Sequence, residues 1–558
     1  MDNIRDNVRL FLWVTFLALL WLVYTTWTNE HTPPPVASPA ASTPTSASPA
    51  GTDTLPSLET RSPAPTGAAT ATPVAALPAG SDLIRVRTDV LDVEISLQGG
   101  DLVRADLPQY PVSKHEPGKL VRLLDYEPDT LWLFQTGILG ADGDAAPTHR
   151  ERFRSTSTDY VLGEGQDSLT VTLDWSGDGA VAAQKVYTFR RGQYAVDLQL
   201  KATPTAGTSW RGAPYAQMTR LYHPVKRSYT SVDSYSVSGP ALFDGKSFQK
   251  PKFDDIAKAP VTQKVTGGWL AAIQHHFVVA AVPPVADEVS YDAKTLGQEF
   301  VLSAVGAVKS VSAAAPLDYH FTLFVGPKLQ AQLAAAGPQL DRTVDYGRLY
   351  LLAQPLFWLL SKVEVLVNNW GWAIVIVTIM IKLVFYRLTA MSNRSMAKMR
   401  RLAPRMKALQ ERYKEDRPAL SQAMMELYKK EKVNPAAGCL PMLIQMPFFF
   451  AFYWVLIESV EMRQEPFMLW IDDLSSRDPF YVLPLLMGVA MFFQTRMSPP
   501  PPDPMQAKVM QIMPLVFTAF FFLFPSGLVL YWLTNTGLSI LQQWRINKVV
   551  AREAEAAA

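Results

Sequence analysis

"IVIVTIMIKLVFYRLTAMS", residues 374–392, is an apolar run with one lysine, Lys382, set in its middle. An ammonium group in hydrocarbon costs at least ~2.5–3.5 kcal/mol, so the surroundings of this lysine have to account for it. It lies about 15 Å along a helix from Trp372, close to mid-membrane. Two readings stand. The side chain snorkels toward water, whose edge Arg387 marks about one and a half turns away, or it faces an internal polar cavity. Thr378 sits one turn earlier on the same helix face. Gln445, Gln494, Thr495, Gln511, Thr534, Asn535 and Thr536 put further polar groups within or near other apolar segments. Each alone reads as an interhelical hydrogen bond worth about 0.6 kcal/mol. Together they favour a polar groove inside a helical bundle.

Six apolar segments are candidate spans. The first, Leu10 to Trp27, is uncharged over 18 residues, near the ~20 needed to cross a bilayer. A cleaved signal peptide is the rival reading, but the apolar stretch is long and no A-x-A-like site follows closely. The others run from Trp370 to Tyr386, Gly438 to Ile457, Phe480 to Thr495, Val509 to Phe524 and Leu528 to Trp544, the last two joined by "PSG". Arg5 and Arg9 precede the first span, and no Lys or Arg follows until Arg61. Residues 391–433 hold twelve Lys/Arg against five Asp/Glu, and residues 460–478 hold two against five. Basic loops stay cytoplasmic, so both termini are expected inside. Three spans of about 16–17 residues would cover only ~24–26 Å of a ~30 Å hydrocarbon core, which thins the bilayer around them.

Between the first two spans the chain changes character twice. Residues 31–80 are Pro/Ala/Ser/Thr-rich and nearly uncharged, a composition expected to remain a disordered tether. Residues 81–342 alternate apolar and polar side chains. "VLDVEISL" puts Leu91, Val93, Ile95 and Leu97 on one face, and "SLTVTLDW" repeats the pattern with Leu169, Val171, Leu173 and Trp175. Many such half-buried strands predict one large β-sandwich outside the cytoplasm. Residues 343–369, with Arg348, Lys362 and Glu364 among leucines and aromatics, read as an interfacial amphipathic helix. The remaining boundaries are an anchor over 1–30, a second span over 370–390, a hairpin over 391–434, spans three to six over 435–545 and a short tail over 546–558. The expected fold class is therefore an α-helical polytopic membrane protein of six spans, with a large all-β sandwich domain and a cytoplasmic helical hairpin.

In the basic loop, Met399, Leu402, Met406, Leu409 and Tyr413 recur at spacings of three and four, and Leu420, Met424 and Leu427 continue after a "KEDRP" turn. This is a short coiled-coil seam. Its cations, among them Arg394, Lys398, Arg400, Arg401, Arg405 and Lys407, either only set topology or form a docking arm for a phosphate-rich partner. One cysteine, Cys439, excludes an intrachain disulfide and a cysteine-based zinc site. Seven scattered histidines show no metal-ligand spacing, and no glycine-rich phosphate loop or Ser/His/Asp set is present. The pair His275–His276 reads as structural rather than catalytic. Neither catalysis nor a cofactor is expected.

"SMAKMRRLAPRMKALQERY" (395–413), "EKVNPAAGCLPMLIQMPFFFAFYWVL" (431–456), "DPFYVLPLLMGVAMFFQTRMSP" (478–499) and "FFFLFPSGLVLYWLTN" (520–535) strongly resemble the YidC membrane-protein insertase family, in its Gram-negative bacterial form. The resemblance implies insertion and folding of inner-membrane proteins, alone or with the Sec translocon. It implies a hydrophilic groove open to cytoplasm and lipid, and a β domain that is a periplasmic supersandwich similar in fold to sugar mutarotases. It aligns Lys382 with the groove's positive residue and Thr378 with a groove threonine. Arg387, Gln445 and Asn535 complete the expected groove. Gln445 also falls, with Met446, Pro447 and Phe449, on the substrate slide of the third span, and Phe520 and Trp532 fall on the slide of the fifth and sixth. The implied partners are nascent inner-membrane proteins, the Sec translocon, the lipid bilayer, and the ribosome and targeting machinery at the hairpin, with no specific nucleic-acid sequence. The chain departs from the pattern at three places. Lysine replaces arginine at 382, Arg387 stands where relatives commonly have proline, and the tail "AREAEAAA" is not strongly basic. A secondary transporter with Lys382 as mid-membrane counter-ion is the alternative, against which no internal repeat is found. A carbohydrate-binding or isomerase β domain merely anchored by the spans is a third reading, and six spans exceed what an anchor needs.

Overall fold

The computed structural model describes residues 54–58, 83–141, 144–177, 181–205, 208–223, 238–413, 416–431, 440–498 and 504–555. The expected anchor over 1–30, the tether apart from 54–58, Cys439 and the last three residues lie outside these.

The alternating segments form two facing sheets. The first runs Val261–Thr266, Glu288–Leu296, Glu299–Gly306, Ser209–Leu221, Trp132–Gly140, Asp101–Ser113, Asp92–Ser96, Leu83–Arg87 and Asp159–Val161. The second runs Phe248–Gln249, Gly239–Phe243, Trp269–Gln274, Phe277–Val282, Leu317–Pro327, Ala195–Pro204, Val181–Arg190, Ser168–Ser176 and Arg154–Ser155. Burial follows the alternation: Val171, Leu173 and Trp175 are buried, whereas Thr170, Asp174 and Ser176 are exposed and Thr172 is half-buried. Inner side chains from both sheets make one core, with Trp269, Tyr187 and Phe134 essentially inaccessible. Two short helices, α1 (Phe253–Lys258) and α2 (Gln330–Ala336), complete the domain.

One inward position breaks the apolar pattern. Lys185, on Val181–Arg190, is 1% exposed. Its Nζ donates to Gly99 O at 2.5 Å, Thr136 O at 2.7 Å, and Thr136 Oγ1 and Asp101 Oδ1 at 3.0 Å. These acceptors belong to the opposite sheet and the turn leading into it, so the lysine pins the two layers together. Burial pushes Lys185 down and Asp101 up, and their mutual attraction opposes both shifts. Gly100, at φ 65°, passes over this cluster where a Cβ would come within 3.1 Å of Leu173 and 3.2 Å of Lys185.

The tether expectation needs correction at residues 54–58. Leu55 and Leu58 pack on Leu139, Tyr215 and Val305, and Gln217 Nε2 donates to Thr54 O at 2.9 Å. Two leucines three residues apart supply enough apolar surface to hold this piece against the sandwich, which composition averaged over fifty residues concealed.

The helical part comprises α3 (Tyr350–Val367), α4 (Trp370–Val384), α5 (Tyr386–Arg412), α6 (Arg417–Lys430), α7 (Leu440–Glu458), α8 (Val482–Met497), α9 (Pro504–Phe521) and α10 (Ser526–Glu555). Asn368, in the left-handed region at φ 50°, ends α3, and the Asn369 side chain caps α4 by accepting from Trp372 N. α3 buries Ala353, Leu356, Phe357, Leu360 and Val363 but exposes Leu351, Trp358, Val365 and Leu366 on the other side. It is thus less amphipathic than its sequence suggested, and Gly347–Val367 is long and apolar enough to cross a membrane by length and composition. The expected second span over 370–390 breaks at Phe385, where the chain bends by 69° into α5. The Phe385 ring packs on Phe448 at 5.1 Å, which gives the bend a hydrophobic purchase on α7. The expected separate tail is, over residues 546–555, the continuation of α10, with Ile546 and Val550 packed on Ala397 of α5.

Leaving one charge of a buried pair without its partner costs ~3–5 kcal/mol. Lys185→Met should therefore destabilise the β domain by about that amount in denaturant titrations followed by tryptophan fluorescence. Lys185→Met with Asp101→Leu should recover part of the loss, and equal midpoints for all three proteins would refute the pinning role.

Candidate functional site

Lys382 and Thr378 lie on α4, which packs along α10. Lys382 is 9% exposed and Thr378 is 1% exposed. Lys382 Nζ donates to Ser539 Oγ at 2.8 Å, and Ser539 donates in turn to Asn535 O at 2.7 Å. Thr378 Oγ1 donates to Ile374 O at 2.6 Å, so its hydroxyl is satisfied within its own helix. Further along α10, Thr536 and Gln543 are buried. Gln543 Nε2 donates to Met497 O at 3.1 Å and Gln542 Nε2 to Tyr386 O at 3.2 Å, tying α10 to the end of α8 and to the start of α5. A polar seam therefore follows α10 from Asn535 to Gln543. Of the expected groove residues, Lys382 and Thr378 lie one turn apart on α4, and Lys382 reaches Asn535 only through Ser539, which donates to the Asn535 backbone oxygen. Gln445 is half-buried on α7, and Arg387 is exposed beyond the bend. Ser539, the hydroxyl that receives the lysine, was missed. It stands four residues after Asn535 on the same helix face, a spacing that could have marked it.

An aromatic chain lies beside the seam. Phe449 meets Trp532 edge-on at 4.4 Å, Trp532 meets Phe521 at 5.3 Å, Phe521 meets Phe524 at 5.9 Å, and Phe524 meets Phe520 at 4.7 Å. It joins α7, α9 and α10, so Phe449, Trp532 and Phe520 form one connected surface together with Phe521 and Phe524, which sequence reasoning did not single out. Met446, Pro447 and Phe520 are exposed. At Gly488 a Cβ would collide with the Thr518 hydroxyl, so glycine there permits the close approach of α8 to α9.

In the hairpin, Leu402 and Met406 of α5 pack with Met399 and with Met424, Leu427 and Tyr428 of α6. Leu409, Tyr413 and Leu420 stay outside that cluster. Asp416 caps α6 by accepting from Ala419 N at 3.0 Å. Arg405 pairs with Glu431 at 2.6 Å, Arg394 lies 4.0 Å from Glu553, and Arg400 donates to Met497 O at 3.2 Å. Lys398, Arg401 and Lys407 are exposed. The cations thus spread over an outer surface rather than converging on one point.

The last turn of α7 and the loop after it fasten the bundle to the β domain. His275 and His276, stacked at 3.7 Å, both donate through Nε2 to Ile457 O, at 3.2 and 2.9 Å. Arg463 donates to Pro111 O at 2.8 Å, and Gln464 Nε2 to the same oxygen at 2.9 Å. The pair of histidines serves this contact, and burial holds His276 well below its usual value. Glu461 enters the same contact with its Oε2 enclosed and without a hydrogen-bond partner. Burial raises its carboxyl to about 7. Among the described residues no group of three His, Cys, Asp or Glu could hold a metal ion.

A large double-sheet domain fixed to apolar helices, with one cation bonded inside the bundle and an aromatic surface next to it, defines a helical membrane protein with a built polar site. Comparison with known proteins names the group. Residues 83–359 match the YidC periplasmic domain and residues 362–553 match the 60Kd inner membrane protein family. The membrane protein insertase YidC of Methylococcus capsulatus is 47% identical over 471 residues, 84% of this chain and 86% of that protein. That of Nitrosococcus oceani is 42% identical over 549 residues, 98% of this chain and all of that protein. A solved active YidC insertase, with its first transmembrane domain resolved, is similar over 84% of this chain and 93% of its own, at 19% identity and a TM-score of 0.39. The chain belongs to the YidC family of membrane protein insertases.

A carboxyl raised by folding holds its proton more tightly in the folded state. The stability Glu461 confers is complete below about 4.5, the unperturbed value, and is lost as pH rises to about 7. Thermal midpoints of the full chain should fall across that window, and Glu461→Gln, neutral at every pH, should flatten the fall. An unchanged pH profile in the variant would contradict the assignment.

Proposed function

We propose that this chain inserts and helps fold inner-membrane proteins through a groove along α4, α7 and α10, with Lys382 attracting the acidic or hydrophilic segment of the incoming chain. The observation that carries the reading is the Lys382 ammonium, held between α4 and α10 by a single hydroxyl. An ammonium has three N–H donors, so two remain for a substrate or water. The apolar span of the client then leaves along Met446, Pro447, Phe449, Phe520 and Trp532 into lipid. No catalytic residue, metal or cofactor is required.

In this reading the protein crosses the membrane six times with both termini cytoplasmic, the β domain is periplasmic, and α3 lies at the periplasmic surface. The basic hairpin docks the ribosome and targeting machinery, and the Sec translocon is a further partner. The charge asymmetry between residues 391–433 and 460–478 supports this orientation. The transporter alternative is not favoured: the family's relatives are insertases, and the hydropathy pattern lacks repeats.

A carboxylate brought within ~8 Å of the ammonium at an effective dielectric of ~20 gains about 2 kcal/mol, roughly thirtyfold in partitioning. Insertion of a short single-span client with an acidic translocated tail into vesicles should therefore fall about thirtyfold for Lys382→Ala and further for Lys382→Glu. Lys382→Arg should work. Equal insertion by all four proteins at equal folded amounts would remove Lys382 from the mechanism.

A further inference from the structure

A cavity of about 1100 Å³ lies between the β domain and the loop that follows α7. Arg122 and Arg220 line it from the sandwich, Arg463 and Arg477 from the loop, and Ile457 from the end of α7. The carboxylate on the wall, Asp473, is already engaged: its Oδ1 accepts from Gln464 N and from the Ser475 amide and hydroxyl. Arg122 is neutralised by Asp106, at 2.8 and 3.1 Å.

Arg220 differs. Its guanidinium stacks on Trp132, 3.8 Å from the ring centre, and donates to Ile273 O at 3.1 Å and to Gln274 Oε1 at 3.4 Å. Among the described residues no carboxylate lies within ion-pair distance of it. Burial accordingly drives it down to about 10. Two neutral acceptors serve a group with five N–H donors. A partly buried cation without a counter-ion carries a desolvation cost, and the cost falls when an anion enters the cavity beside it. Planar stacking presents the fork in the geometry that suits bidentate binding of an oxyanion.

We propose that this cavity binds a glycerophosphate group, with Arg220 as its principal contact. A lone inorganic ion would leave most of 1100 Å³ empty. The wall at Ile457 and Pro525 lies where the apolar helices α7 and α10 end. That is the level of phospholipid headgroups when those helices cross a bilayer. The same chemistry is offered by a phospholipid headgroup and by soluble glycerol phosphate, and the two sources are separable.

The test uses the full chain in nanodiscs of neutral glycolipid. One arm adds a phosphatidylglycerol photoprobe with a headgroup-proximal diazirine and maps labelled peptides. The other titrates glycerol 3-phosphate and follows the thermal midpoint. Because a hydrogen bond to a charged group contributes ~1.5–3 kcal/mol, Arg220→Gln should reduce binding at least about tenfold. Lipid labelling of residues 220–222 and 463–477 that is lost in Arg220→Gln supports the lipid source. A midpoint shift with glycerol 3-phosphate, absent from the variant and without lipid labelling, supports the soluble source. Absence of both signals in wild type, or their persistence in Arg220→Gln, overturns the proposal. Should Arg220→Gln not fold, Arg220→Lys keeps the charge but loses the fork, and undiminished binding by it also overturns the proposal. Neither readout involves insertion, so the result stands apart from the role of Lys382.

Discussion

The constraint on which the structure turns is that a charge inside a protein must be surrounded by partners or be left available for one. Two of the three lysines buried among the described residues, Lys185 and Lys382, meet it in opposite ways. Lys185 has four acceptors around its Nζ, from Gly99, Asp101 and Thr136, and is saturated. Such a group can only be structural, and it locks two sheets at a fixed spacing. Lys382 has a single acceptor, Ser539, whose own proton goes to Asn535 O. An ammonium so sparsely satisfied costs stability unless water or another chain completes its shell. Both side chains are buried lysines, and the number of acceptors around the ammonium is what differs between them.

The second constraint is mechanical. A seam between α4 and α10 is useful only if the helices around it hold their positions, and short apolar helices have little internal means of doing so. The loop after α7 supplies the frame. Together with Ile457 in the last turn of α7, it is bonded to the β domain through Arg463 and Gln464, and it is bonded to the α9–α10 turn through Ser476 O, which accepts from Ser526 N at 2.7 Å, and Leu474 O, which accepts from Gly527 N at 2.9 Å. At the opposite end, Met497 O accepts from both Arg400 and Gln543. The bundle is thus fixed at both ends by backbone carbonyls at helix ends and in loops, and in its middle the lysine's bond to Ser539 joins α4 to α10.

Much of this was legible in the sequence because it depends on periodicity. Alternation identified the strands of the sandwich, the three-and-four spacing brought Met399, Leu402 and Met406 against Met424 and Leu427, and a lone lysine in an apolar run marked the seam. What stayed hidden depends on contacts between distant residues. Lys185 sits at an inward position of an alternating strand, a visible anomaly, but its acceptors are some fifty to ninety residues away. Ser539 becomes a partner only once α4 and α10 are packed. The break at Phe385 has neither proline nor glycine to announce it, and the ring contact with Phe448 that accompanies it joins residues far apart in sequence. Arg220 looks like any arginine on a strand until the fold sets it on Trp132 and against Ile273 and Gln274.

Helix length joins the seam to the bilayer. α4 has 15 residues and α8 has 16, so each spans about 22–24 Å where a bilayer's hydrocarbon is ~30 Å thick. A bilayer around such helices must thin or the helix ends must draw polar groups inward. Either response brings water closer to Lys382 and shortens the apolar path for a polar segment. Longer helices would restore the full barrier even with the lysine in place. In the proposed mechanism, a short helix without the cation would thin the membrane with nothing to attract an acidic segment. The sequence combines the two in one helix: α4 ends two residues after Lys382, and the chain turns away at Phe385 before the helix can grow to full bilayer thickness.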